Sequence, residues 1–373
     1  MKRAAAILAT LGLFAMSARA ALKITLAPAI KNAARGTERV FSGTLTNTSA
    51  TGKLFLNGLH VTLNGGAVTF LALQPNDFFA NIPGILLPGE TYTGPIFRVA
   101  LGALAPADDY TGTITLDGGG DITAAANLAS AIFAVLSPDV NIVASDPSAS
   151  ESGPDSGVFT ISRTGRTDIA LAVPCAIAGT ATNGTTYQSI SPALTIPANA
   201  ASTSVTITPL PDNLAQGDRV AILSPSSSAD HNLGVNATAA VTIHDKPADA
   251  WRFAKFGANA NDAAAADGAD WDSDGIKNVV EFALDLEPKT PNAAALPVPF
   301  FSGGYLTLSY VPNSAATDVT CAVEASTDFA AWSTADVENV FVANPTPPNR
   351  VTVRYRFPVS LTAHVFLRLS IIR

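Results

Sequence analysis

The stretch LTIPANAASTSVTITPLPDN, residues 194–213, decides the fold class. Leu194 and Ile196 alternate with Thr195, then Pro-Ala-Asn breaks the run. Thr203, Val205 and Ile207 next alternate with Ser and Thr until two prolines and an Asp-Asn pair stop the chain. Apolar residues at every second position, bounded by Pro, Asn and Asp, describe half-buried strands joined by turns.

The same grammar runs in both directions. Upstream it recurs in LKITLAP (22–28), RVFSGTLTNTS (39–49), KLFLNGLHVTLNGG (53–66), AVTFLAL (67–73), PIFRVAL (95–101) and DYTGTITLDGGG (109–120). No segment between residues 22 and 137 reads as a convincing helix. Around the opening stretch lie GVFTISRTG (157–165), IALAVPCAIAG (169–179), RVAILSPSS (219–227) and ATAAVTIHD (237–245). Downstream come YLTLSYVP (305–312), VTCAVEAST (319–327), RVTVRYRFP (350–358) and HVFLRLSII (364–372). In residues 351–357, Val351, Val353, Tyr355 and Phe357 share one face, and Thr352, Arg354 and Arg356 the other.

Composition agrees. The 373 residues are 47% hydrophobic and only 14% charged, against about 25% charged in an average soluble chain. The 27 Gly and 25 Pro are spread along the sequence, as many short strands with many turns require. The net charge of −8, with no Lys/Arg cluster, argues against nucleic acid as a partner and favours cations. Cys175 and Cys321 stand far apart and read as two buried thiols rather than a bridge.

Residues 1–20 follow the plan of a secretory signal peptide. Lys2 and Arg3 precede an apolar run from Ala4 to Met16, and Ala18-Arg19-Ala20 offers a cleavage site. The run is shorter than the ~20 residues that span a bilayer, and no later segment approaches that length. The expected location is therefore outside the cell or at its surface, with no transmembrane segment after cleavage.

Two stretches between residues 246 and 297 have helical character. PADAWRFAKFG (247–257) carries Pro at its start and Gly at its end. KNVVEFALDL (277–286) places Val279, Val280, Phe282, Ala283 and Leu286 toward one side and is followed by Pro288. Between them lies DWDSDGIKNVVE, residues 270–281, which satisfies the calcium-loop pattern D-x-[DN]-x-[DN]-G-x₅-E at every specified place. Asp270, Asp272 and Asp274 stand at places 1, 3 and 5, and Gly275 permits the sharp turn. Ile276 would offer its backbone carbonyl, Asn278 would act directly or through water, and Glu281 would bind through both oxygens. Four carboxylates in twelve residues repel each other, and a divalent cation offsets that repulsion. Oxygen-only ligands select Ca²⁺ over zinc. The hydrophobic anchor falls at place 7, Ile276, with Lys277 at place 8, and there is no second loop. The loop therefore stands unpaired.

Two resemblances follow from these residues. Residues 139–246 resemble a Calx-beta domain, through Glu151-Ser152-Gly153, GTATNGTTY (179–187), the opening stretch and VTIHD (241–245), in the family's order. The resemblance implies a β-sandwich that binds calcium through end-of-sandwich carboxylates, and Glu151, Asp212 and Asp245 occupy three of those places as a weaker second site. Thr186, Gln216 and Arg219 stand where the family has further acids, and Lys246 follows Asp245. Residues 251–288, WRFAKFG…DWDSDGIKNVVEFALDLEP, resemble the single-loop dockerin-like or thrombospondin type 3-like calcium modules of secreted verrucomicrobial and planctomycete proteins.

The expected architecture is mainly β: an N-terminal Ig-like sandwich (21–138), a Calx-beta-like sandwich (139–246), a helix–calcium loop–helix segment (247–297) and a C-terminal β domain (298–373). No nucleophile elbow, P-loop or H-E-x-x-H motif occurs, and His60, His231, His244 and His364 lack metal spacing. The expected function is non-enzymatic: a modular calcium-binding protein of the cell surface or matrix, serving adhesion or scaffolding. The alternative is an accessory module of a secreted degradative system that binds a surface glycan or protein, which an exposed row of aromatics would favour.

Overall fold

The computed structural model describes residues 21–373 other than positions 75, 154, 362 and 363. The expected signal peptide lies outside the described residues. The expectation of a mainly β chain of tandem sandwiches, with a short helical segment before the last, is borne out.

The first sandwich has one sheet in the order Leu22–Leu26, Glu38–Asn47, Thr91–Leu101, Leu71–Gln74. Its second sheet runs Ile30–Asn32, Ala126–Leu136, Asp109–Gly119, Leu54–Leu63, Ile85–Leu86. Pairing is antiparallel except between Ile30–Asn32 and Ala126–Leu136. Phe41, Phe97 and Phe133 meet between the sheets with ring centroids 4.9 to 5.2 Å apart. Gly112 makes room for them, since a Cβ there would lie 2.7 Å from the Phe133 ring.

This sandwich also corrects the sequence reading. Residues 67–73 were expected to form one strand in a region without helix. Ala67–Phe70 instead forms one helical turn, α1, and only Leu71–Gln74 is strand; Asn76–Asn81 forms a second short helix, α2, with Phe78 buried. The Asn64 and Gly66 carbonyls receive the Ala67 and Phe70 amides and start α1. Helices of four and six residues are too short to display a 3.6-residue period, so alternation in the flanking chain masked them.

In the second sandwich the opening stretch crosses from one sheet to the other. Ala193–Ile196 pairs with Leu171–Gly179, the chain turns through Asn199 at φ +65°, and Ser202–Ile207 pairs with Gly157–Arg163. The sheets are ordered Ser202–Ile207, Gly157–Arg163, Asp139–Asp146, Asn232–Leu233 and Ser148–Ser150, Ala239–His244, Arg219–Pro225, Leu171–Gly179, Ala193–Ile196. Phe159, Ile161, Val173, Tyr187, Ile207, Leu223 and Val241 fill the space between. Cys175 is buried in this core and Cys321 half-buried in the last one, and both thiols are free.

The last sandwich sets a four-stranded sheet (Phe300–Ser302, Tyr305–Tyr310, Val351–Tyr355, Val337–Asn339) against the pair Thr320–Ser326 and Phe366–Ile372. Val353 and Tyr355 are buried while Arg354 lies outside, paired with Glu338 at 2.7 Å. The expected face division thus holds at 353–355, while Phe357, expected on the same face as Val353, is exposed. Among the described residues no helix is long and apolar enough to cross a membrane.

Candidate metal centre

Two helices hold the acidic loop. Helix α3, Pro247–Phe256, begins with Pro247, carries Asp249 in its first turn and stops at Gly257, φ +58°. Helix α4, Asn278–Leu284, begins inside the loop motif and ends at Asp285, which adopts the left-handed conformation at φ +56°. The expected helix over 277–286 is thus shorter, ending at Leu284 two residues early, with Asp285 rather than Pro288 terminating it. Trp251 packs on Phe256 (5.9 Å) and Phe282 (5.5 Å), and Phe256 on Trp271 (4.8 Å). With buried Ala260 and Ala265 these rings make a small floor for the loop.

The loop coils around its own carboxylates. Asp270 accepts the Asp274 amide at 3.2 Å and the Gly275 amide at 2.8 Å. Asp272 also accepts the Asp274 amide, and Asp274 accepts that of Ile276 at 2.9 Å. Gly275, at φ +96°, makes the turn in a region closed to most residues with a Cβ. Buried Ile276 anchors the far side. Ligand oxygens of Asp270, Asp272 and Asp274 lie within 4.8 Å of one another.

Glu281, on α4, stands outside that cluster of converging oxygens but near enough to feel its charge. It is 1% exposed and its Oε1 has no hydrogen-bond partner. Burial, then the charges of Asp272, Asp274 and Asp270, push its carboxyl up to about 7. Partial burial and the Asp274 charge also raise Asp272. Asn278, equally buried, spends its Nδ2 on the Ala264 and Ala266 carbonyls, both at 2.9 Å, while Oδ1 stays unpartnered. Asp272 Oδ2 and Asn292 Oδ1 are buried without partners as well. An orphaned buried polar atom costs about 1–3 kcal/mol. Here four oxygens of that kind belong to one small loop and the segment folded against it. All are hard donors from carboxylates and amides, the set that suits Ca²⁺ and not zinc. Asn292 lies outside the motif, and nothing in its sequence neighbourhood marks it.

The second trio is arranged differently. Glu151 and Asp245 are buried, and burial raises both carboxyls. Asp245 accepts the Gln216 and Gly217 amides at 2.7 Å each, and Asp212 accepts that of Leu214 at the same distance. The Asp212 amide reaches Glu151 at 3.5 Å. Lys246 places its ammonium on the Asp212 carbonyl and, at 3.2 Å, on Asn213. Among the described residues these carboxylates do not converge as those of the loop do. Arg219 turns to the Thr180 carbonyl. His60 and His244 pair singly with Asp117 and Asp218, and His231 is buried on Ser226 and Ser228.

No known family profile matches the chain, and no curated protein does. Solved structures include similar chains at low identity. The apo Calx CBD1 domain is 19% identical, with 29% of this chain and 97% of that one covered and a TM-score of 0.25. The CBD12 structure from CALX1.2 is 14% identical over 62% of this chain and 80% of its own, with a TM-score of 0.29. The D00–D0 domain of intimin is 10% identical over 60% and 100%, with a TM-score of 0.28.

Proposed function

We propose that this chain is an exported, non-enzymatic modular protein of the cell surface or extracellular matrix, in which residues 270–281 bind Ca²⁺ and stiffen a junction between β-sandwiches. Its units are residues 21–138, 139–246, 247–297 and 298–373, after a signal peptide at 1–20. Asp270, Asp272, Asp274 and Glu281 supply carboxylates, Ile276 its carbonyl and Asn278 its side chain. The single observation that carries this reading is Glu281: a carboxylate 1% exposed, one oxygen unpartnered, beside three converging aspartates. Such a group is costly without a cation to face it. A weaker site at Glu151, Asp212 and Asp245 is the alternative address, with Lys246 already supplying positive charge there.

Calorimetric titration of the chelator-treated chain tests this. Calcium is expected to bind and raise the melting temperature, and Asp270→Ala with Glu281→Ala is expected to abolish both effects. Full affinity in the double variant would move the ligands to Glu151, Asp212 and Asp245. No heat and no stabilisation in the native chain would falsify the stiffening role.

A second reading, an accessory module that binds a surface glycan or protein, is favoured by an aromatic group on the last sandwich. Phe329, 61% exposed, lies tilted against Phe366 with ring centroids 3.7 Å apart and 6.0 Å from Trp332, whose ring carries Arg368 at 4.2 Å. A glycan array comparing the native chain with Trp332→Ala decides between the readings.

A further inference from the structure

We propose that the metal site extends beyond the twelve-residue loop and that Asn292 supplies its side-chain oxygen Oδ1 to the ion. The inference rests on the calcium reading of the loop and adds to it a residue outside the motif, eleven positions past Glu281.

After α4 the chain folds back over the loop. Lys289 lies 5.5 Å from the centre of the Phe256 ring and 5.9 Å from that of Trp271, the rings beneath the aspartates. Asn292 then donates its backbone amide to Asp274 Oδ2 in a short hydrogen bond. Its Nδ2 donates to the Glu287 carbonyl at 2.9 Å, and its own carbonyl accepts the Ala295 amide at 2.8 Å. Three bonds therefore fix both backbone and side chain. They also fix which way the amide faces. Glu287 presents an acceptor, so the nitrogen branch must meet it, and the planar group directs Oδ1 the other way. That oxygen is buried and has no partner.

The residue is thus held against a metal-ligating carboxylate with one unused hard oxygen. A positioning role alone would be met by the backbone amide and would leave Oδ1 free to be any other atom. Amide oxygens are ordinary calcium ligands, and calcium takes about six to eight oxygens. The loop's own set leaves room for one more. The consequence for the molecule is specific. Asn292 precedes Phe300–Ser302, the first strand of the last sandwich, so an ion held by both Asp274 and Asn292 ties the loop to the chain entering that sandwich.

The test is calcium titration of the full chain by calorimetry, with the melting temperature in chelator as a control for folding. Asn292→Ala is expected to weaken calcium binding by about 10–100-fold, the range seen when groups supporting a metal site are removed, with little change in chelator. Asn292→Asp keeps Oδ1 and adds charge but loses the bond to the Glu287 carbonyl, and is expected to bind more tightly than Asn292→Ala. Calcium should also protect residues 287–297 from proteolysis in the native chain and not in Asn292→Ala. If the native chain binds and Asn292→Ala binds equally well, this proposal fails while the loop reading stands. If the native chain does not bind, both fail. Binding by Asn292→Asp no tighter than by Asn292→Ala assigns the role to packing and overturns ligation by Oδ1.

Discussion

Glu281 concentrates the chemistry of the protein in one carboxyl group. Its proton affinity is raised to about 7, by burial first and by the three aspartates next. Without metal, the folded state therefore holds a proton that the unfolded state releases near the ordinary carboxylate value. Between those two values the folded state binds more protons, so its stability falls as pH rises. The metal-free chain is expected to melt at a higher temperature at pH 5 than at pH 8. Calcium requires the ionised carboxylate, so binding at pH 7 should release protons. Calorimetry in buffers of different ionisation enthalpy measures that release, and Glu281→Gln should remove it. A binding heat independent of buffer would exclude Glu281 as the titrating ligand. The loop positions themselves were legible in the sequence, because place-by-place spacing is all the pattern needs. The burial of Glu281 and the unpaired oxygen of Asn292 were not, because both depend on how α4 and the following segment close over the loop.

At the scale of the element, helix α4 joins the loop to the cores on either side. Its Phe282 is 2% exposed and packs on Trp251, while Leu284 reaches the core of the last sandwich. The Phe282 and Ala283 carbonyls accept the Asn313 side chain and backbone amides, both at 2.9 Å. Phe282→Ala is expected to cost about 3–5 kcal/mol, as for other buried aromatics. It should also weaken calcium binding, because Glu281 sits one residue away on the same short helix. Thermal melts with Trp251 and Trp271 fluorescence read both effects, and an unchanged melting temperature would remove Phe282 from the floor of the site. The apolar side of this helix was readable from its period, and the strands from their alternation. The helix end was misplaced because Asp285 takes a left-handed conformation that usually calls for Gly or Asn. The single turns α1 and α2 were missed for lack of length.

Across the whole molecule, charge and hydrogen bonds converge on the helical segment from both flanking sandwiches. Asn261 exchanges two hydrogen bonds with the backbone of Ala215 in the second sandwich, at 2.8 and 2.9 Å. Arg373, following Phe366–Ile372 of the last one, pairs at 2.8 Å with both Asp249 of α3 and Asp267 just before the loop. Asp318 stands 3.7 Å away and accepts the Ala248 amide. Asp249 is fully buried, so its charge cannot be left unpaired cheaply. Arg252 also reaches it, which limits the damage when Arg373 is removed. Arg373→Ala is therefore expected to cost about 1–3 kcal/mol, the scale of one unsatisfied buried group, rather than the full cost of an isolated buried ion. On the proposed function, two fastenings then hold the last sandwich: this ion-pair cluster and the loop with its proposed calcium ion. If they act in parallel, removing either one should loosen the molecule slightly and removing both should loosen it most. Small-angle scattering is expected to give a similar radius of gyration for the native chain with calcium, the native chain in chelator and Arg373→Ala with calcium. Arg373→Ala in chelator should be clearly larger. Equal radii in all four conditions would mean that neither fastening sets the geometry, and that hydrophobic contact of Leu284 with the last core is sufficient.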